Sequence, residues 1–169
     1  IDIGETKISS IFGSQSGAQI KPHAKFTRYC KRKKNLKIYV NLLNMNLKQN
    51  KQNAIDFYKM SYLGKPAEAC KKFLGDKYIQ HNPDVANGVQ GFIDYFDRMQ
   101  TEYPEKSIEF VRCIAEGDLV ALHTHQTWPG NDQYATMDFF RFDEKGKICE
   151  HWDAIQKVPE KSANKNGMF

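Results

Sequence analysis

The stretch MDFFRFDEKGKICEHWDAIQ, residues 137–156, decides the fold. It divides at Asp143-Glu144-Lys145-Gly146, a short turn with a glycine available for positive φ, into the strand-length runs YATMDFFRFD and KICEHWDAIQKV. Two similar runs precede them, SIEFVRCIA and DLVALHTHQTW, joined at Glu116-Gly117-Asp118. All four have a hydrophobic period of 2. Upstream of Pro104 the period is 3.6. A helix carrying Ile55, Tyr58, Met60, Tyr62 and Leu63, with Asn53 or a neighbour as its cap, ends at Gly64. Pro66 opens a short helix, AEACKKFL, and a third runs from about Val89 to Glu102 with Phe92, Tyr95, Phe96 and Met99 on one face. The intervening DKYIQHNPDVANG reads as a loop, because Pro83 disfavours helix before it and Asn87-Gly88 signals a turn. Helices followed by a strand meander predict an α+β domain: N-terminal helices packed on a curved antiparallel sheet, forming a cone with an internal pocket.

At 169 residues the chain has room for one core and some spare sequence. A hydrophobic content of 40%, with 12% aromatics, is too high for a wholly disordered protein. No stretch approaches the roughly 20 apolar residues of a membrane-spanning helix, so no membrane role is expected. The net charge of +5 suggests an anionic partner until its location is considered. Residues 1–44 carry nine basic side chains against two acidic ones, a net +7, whereas residues 45–169 carry 16 against 18, a net −2. The basicity belongs to a leader, and no nucleic-acid partner is expected for the domain. Three readings of residues 1–44 stay open: upstream or vector sequence ahead of a protein that begins at Met45, a flexible native extension, or a targeting segment. A non-native or poorly ordered leader is the expectation, followed by a single domain over 45–169. The KRKK cluster at 31–34 reads as a solvated charge run. Cys30, Cys70, Cys113 and Cys149 have no CxxC spacing, so neither a zinc knuckle nor a disulfide framework is indicated, and a reducing cytoplasm is the default compartment.

Side chains alternate across a strand, so parity sorts the candidate residues. His123 and His125 share a face with Ala121; Asp138 shares one with Tyr134, Thr136 and Phe140; His151 and Asp153 share one with Cys149 and Ile155. Trp152 lies on the opposite parity, as packing or interface. Periodicity alone does not decide which parity faces inward, since both carry aromatics. An HxH pair on one strand with a nearby carboxylate is a recognised transition-metal geometry, yet no metal and no cofactor is expected here.

The motifs YIQHNP at 78–83, AEGDLVALH at 115–123, MDFFRFDEKGKICEHWDAIQ at 137–156 and PEKSANKNGMF at 159–169 resemble the NTF2-like superfamily, and within it the SnoaL-like relatives of polyketide cyclases, for which aldol-type condensation is predicted. The resemblance covers nearly all of 45–169 and none of the leader. It implies that Asp138 falls where ketosteroid isomerases carry an enolate-stabilising acid, and Asp153 where limonene epoxide hydrolases carry an acid/base aspartate. Both then point inward, and His123, His125, Asp138, His151 and Asp153 converge as the catalytic set. His81 and Asn82 are expected near the rim, with Tyr58, Phe92, Tyr134 and Phe140 as further substrate contacts. Two departures stand out: the isomerases' general base aligns with Asn82 and their oxyanion-hole tyrosine near Phe57, leaving Tyr58 one step off the face. The epoxide hydrolases' Arg and Asp on the second strand are replaced by the HTHQ run.

The implied function is binding of a small, largely apolar carbonyl compound in the cone, with acid–base cyclisation or isomerisation. The alternative is a non-catalytic ligand carrier or dimeric scaffold, with a homodimer through the sheet face, where Trp152, Phe139 and Trp128 are candidates. A cavity of a few hundred cubic ångströms with the acids inside would favour an enzyme or carrier, and a collapsed one scaffolding.

Overall fold

The computed structural model describes residues 24–128 and 132–169. Most of the basic leader, residues 1–23, lies outside the described residues, as do the side chains of the KRKK cluster. Contacts divide the chain between Val40 and Asn41, and the architecture below is that of the unit Asn41–Phe169. Helix α1 (Ala24–Tyr62) contains neither Gly nor Pro, and so runs unbroken through Met45 and through Asn53, the expected cap. It stops at Gly64, which at φ 75° lets the Lys65 N–H return to the Met60 carbonyl (3.0 Å). Helix α2 (Pro66–Phe73) follows, and passes without a breaker into strand β1 (Leu74–Gln80). This strand occupies sequence that reads as a loop. Helix α3 (Gly88–Glu102) and strands β2 (Ser107–Glu116), β3 (Leu119–Thr127), β4 (Gln133–Phe142) and β5 (Ile148–Lys157) complete the unit.

The sheet has five strands in the order β1-β5-β4-β3-β2. Strands β2 to β5 form the expected antiparallel meander, whereas β1 pairs parallel to β5, so the α+β fold carries a mixed sheet. Both hairpin turns use their glycine at positive φ, Gly117 at 59° and Gly146 at 71°. Asp143 builds the second turn, its Oδ1 accepting the backbone N–H groups of Lys145 and Lys147 at 2.9 Å. Between β4 and β5 the register slips: Arg141 pairs with Glu150 but Phe142 with Ile148. Cys149 is therefore a bulge residue, and Ile148, fully buried, takes the core position. The expectation that Cys149 shares a face with His151 is corrected accordingly.

Phe57 of α1 is the centre of the core, stacked on Phe92 of α3 (4.8 Å between centroids) and edge-on to Phe140 of β4 (6.0 Å). Burying such side chains stabilises the fold by about 1.5–3 kcal/mol each, which sets helices α1 and α3 on one face of the sheet. No helix of the described residues is long and apolar enough to cross a membrane.

Candidate functional site in the cone

On the helix-covered face, register decides which polar side chains meet. Asp138 of β4 pairs with Asp153 of β5 and with Leu122 of β3, while Phe140 pairs with His151. Asp138, His151 and Asp153 are thus on the inner face, and one ligand atom from each lies within 4.8 Å of the other two. Tyr58 comes down from α1 to join them. Its hydroxyl is 2.7 Å from Asp138 Oδ1 and 2.9 Å from His151 Nε2, and the latter is 3.4 Å from Asp138 Oδ1. Tyr58 is therefore on the face; helical neighbours differ by 100°, which lets Phe57 fill the core while Tyr58 reaches the polar group. Beneath Asp138, Thr136 donates to Oδ2 at 2.5 Å, and Thr124 and Gln126 contact Thr136 in turn. Phe140 stacks under the His151 ring at 4.7 Å.

Asp153 is held from the other side. Asn82 donates to its Oδ2 at 2.7 Å, and the orientation of that amide is set because Asn82 Oδ1 accepts the Asp84 N–H at 2.8 Å. The turn bearing Asn82 is compact, since the position of a Cβ on Gly91 would fall 2.0 Å from the Ala86 carbonyl oxygen. Burial pushes the Asp153 carboxyl above its ordinary range, with the charge of Asp138 adding to the rise, and this outweighs the Asn82 hydrogen bond and the His151 charge. Burial, and secondly Asp138, push the Tyr58 hydroxyl well above a phenol's usual value, so Tyr58 remains a donor. Both oxygens of Asp138 and both nitrogens of His151 already have a hydrogen-bond partner, and Asp153 Oδ2 has Asn82, so a cation held by Asp138 and His151 would compete with existing contacts.

His123 and His125 do not join this set. On β3 the inner positions are Val120, Leu122, Thr124 and Gln126, and the two histidines point from the opposite face. There His123 Nδ1 lies 2.8 Å from an Arg112 guanidinium nitrogen, where a metal bound at that atom would sit, and His125 packs on Phe169 at 4.2 Å. The expected five-residue convergence is corrected to Asp138, His151 and Asp153. His81 also faces outward, stacked on Trp152 at 4.9 Å and bonded to Glu150 at 3.0 Å, because consecutive residues of an extended chain alternate and Asn82 takes the inner place. Trp128 shares the parity of Gln126 and packs on Tyr103 after α3 (5.1 Å), not on the outer face. Tyr134 sits beside it (5.8 Å) and is not among the residues lining the chamber, and Phe140 underlies His151 instead of lining it.

A chamber opens above the polar group, lined by Tyr58, Asn82, Phe92, Asp138, His151 and Asp153 among others. The sequence reading missed Gln80, Tyr62 and Gln126 on its wall. Its cavity volume is about 30 Å³, well short of a few hundred and comparable to the space of a pair of waters.

The profile of the SnoaL-like domain family matches residues 56–151, over half of the chain. The chain belongs to the SnoaL-like domain family. That match takes in Tyr58, Asn82, Asp138 and His151 and stops two residues short of Asp153. Among solved structures, the SnoaL-like chain is similar to a proposed polyketide cyclase from Bacillus cereus ATCC 10987 (20% identity, TM-score 0.56, covering 63% of this chain and 74% of that one). It is similar to a proposed ketosteroid isomerase from Kribbella flavida DSM 17836 (16%, TM-score 0.56, 72% and 87%) and to TsrD from Streptomyces laurentii (18%, TM-score 0.54, 63% and 87%). At these identities the likenesses establish the fold. No curated protein matches the chain.

The raised carboxyl of Asp153 ties the SnoaL-like site to stability. A group whose pKa is raised on folding contributes stability that is fully present below its unfolded pKa and is lost as pH rises through the folded one. Asp153→Asn removes this loss while leaving Asn82 a carbonyl oxygen to bond. The Tm of Asp153→Asn minus that of the parent should therefore be larger at pH 7 than at pH 4, followed by scanning calorimetry; a difference that stays flat or falls contradicts the raised carboxyl.

Proposed function

We propose that this SnoaL-like protein binds a small, largely apolar carbonyl compound at the mouth of the cone and catalyses acid–base chemistry on it without a cofactor, of the aldol-cyclisation or isomerisation type. The observation that carries this reading is the pairing, across one chamber, of a desolvated carboxyl at Asp153 with the hydroxyl, carboxyl and imidazole group of Tyr58, Asp138 and His151. Asp153 is the base that removes a proton alpha to the carbonyl; its raised pKa brings it nearer the operating pH. The single proton of Tyr58, shared with Asp138 and His151 before the ligand arrives, turns to the carbonyl oxygen as negative charge develops there. The proton taken by Asp153 returns to carbon or to the product oxygen, so the protein ends unchanged. Asn82 holds the base in position. The chamber's volume of about 30 Å³ admits the reacting carbonyl end, and the remainder of a larger ligand lies outside it.

Proton abstraction is testable without the natural substrate. In D₂O, loss of α-proton signals from a panel of methyl ketones, acetone to 4-phenyl-2-butanone, should be accelerated by the protein and followed by ¹H NMR. Asp153→Asn should lower the accelerated rate by about 10²–10⁴-fold. Equal rates for parent and variant across the panel would remove the assignment.

The second reading, a dimeric scaffold, is favoured by the small chamber and by the outer sheet face, where Met137 is 48% exposed and Phe139 44%. A homodimer through this face buries both. Light scattering should then give a dimer mass for the parent and a monomer mass for the Met137→Glu/Phe139→Glu double variant; a monomeric parent sinks the interface.

A further inference from the structure

We propose that Gln80 is a positioning residue whose side-chain oxygen holds His151 in the Nδ1–H tautomer, so that Nε2 is the nitrogen offered to Tyr58 and Asp138. The inference rests on the reading of that trio as the acid group of the site.

Gln80 is the last residue of β1 and pairs with His151 of β5. Its Oε1 receives the backbone N–H groups of His81 at 2.9 Å and Asn82 at 3.0 Å. Those groups can only donate, so the atom between them is the oxygen, and the orientation of the Gln80 amide follows without reference to the histidine. The other end agrees, with Nε2 at 3.0 Å from the Tyr78 hydroxyl. His151 Nδ1 lies 2.9 Å from the same oxygen. An oxygen offers no proton, and a bare Nδ1 there would set two lone pairs against each other in a buried place. Nδ1 therefore carries hydrogen.

Tyr58 has one proton for two acceptors, Asp138 Oδ1 at 2.7 Å and His151 Nε2 at 2.9 Å, and Thr136 answers only Asp138 Oδ2. With Asp138 ionised and Nε2 bare, one lone pair in this closed group stays unanswered. The turn that follows β1 thus prepares both halves of the site: Gln80 orients the acid group and, two residues on, Asn82 holds the base.

The test is the tautomer of His151, read by long-range ¹H–¹⁵N NMR on the full chain without any ligand, with the resonance assigned by its loss in His151→Gln. The parent should show a protonated Nδ1 at pH 7. Gln80→Glu retains the acceptor and should keep that pattern; Gln80→Met removes it and should shift the majority to Nε2–H. A bare Nδ1 in the parent overturns the proposal, as does a folded Gln80→Met protein with an unchanged pattern. Should Gln80→Met not fold, the parent and Gln80→Glu spectra decide alone. Because no turnover is measured, failure of ketone exchange with the predicted tautomer in place would count against the proposed reaction and not against the role of Gln80.

Discussion

The hydroxyl of Tyr58 is the interaction on which the rest of this domain turns. It is the contact by which α1 reaches the polar residues of the sheet, and it meets an aspartate and a histidine that are both nearly inaccessible to water. Burying a carboxyl costs several kcal/mol unless hydrogen bonds replace its hydration. Tyr58 and Thr136 supply those bonds to Asp138, and Tyr58 and Gln80 supply them to His151. Phe57, one residue earlier, anchors the same helix turn in the core by stacking on Phe92. Position and chemistry are therefore coupled: the apolar packing that fixes α1 also fixes a phenol over the carboxyl.

The two sheet faces divide the polar residues by role. Inside, a closed set of donors and acceptors lies beside Asp153, which Asn82 holds from a separate turn. Outside, Arg141 bridges Asp118 and Glu150, Glu150 holds His81, and His81 lies flat on Trp152. Glu150 and His151 are neighbours, as are His81 and Asn82, so the outer network braces the same strand ends that present the inner site. The link is positional, through backbone alternation.

Much of this order is legible in the sequence. Strands β2 to β5 declare themselves by alternation and by Gly117 and Gly146 at their turns, and the helix ends at Gly64 and Pro66 follow from backbone chemistry. Strand β1 does not, because LGDKYIQ lacks clean alternation and its glycine, Gly75, reads as the stop of α2 although it lies one residue inside the strand, and its parallel pairing with β5 is a long-range event no local pattern encodes. That miss concealed Gln80. The inward placement of Asp138 and Asp153 follows from family resemblance, whereas the parity of His123 and His125 is not legible in their own strand, where aliphatic and hydroxyl groups occupy both faces. The bulge at Cys149 reverses parity at the start of β5, and only pairing with β4 reveals it. Tyr58 was displaced by one position on a helix, where adjacent residues can both face the same neighbour.

The most direct test of the account is the hydroxyl proton of Tyr58. A proton held between a phenol and two buried acceptors at 2.7 and 2.9 Å is shielded from exchange and strongly deshielded magnetically. A ¹H NMR spectrum in H₂O should show a slowly exchanging downfield resonance that disappears in Tyr58→Phe while the fold is retained. A parent spectrum without such a signal, or one unchanged by Tyr58→Phe, would contradict the claim that Tyr58, Asp138 and His151 form one hydrogen-bonded group.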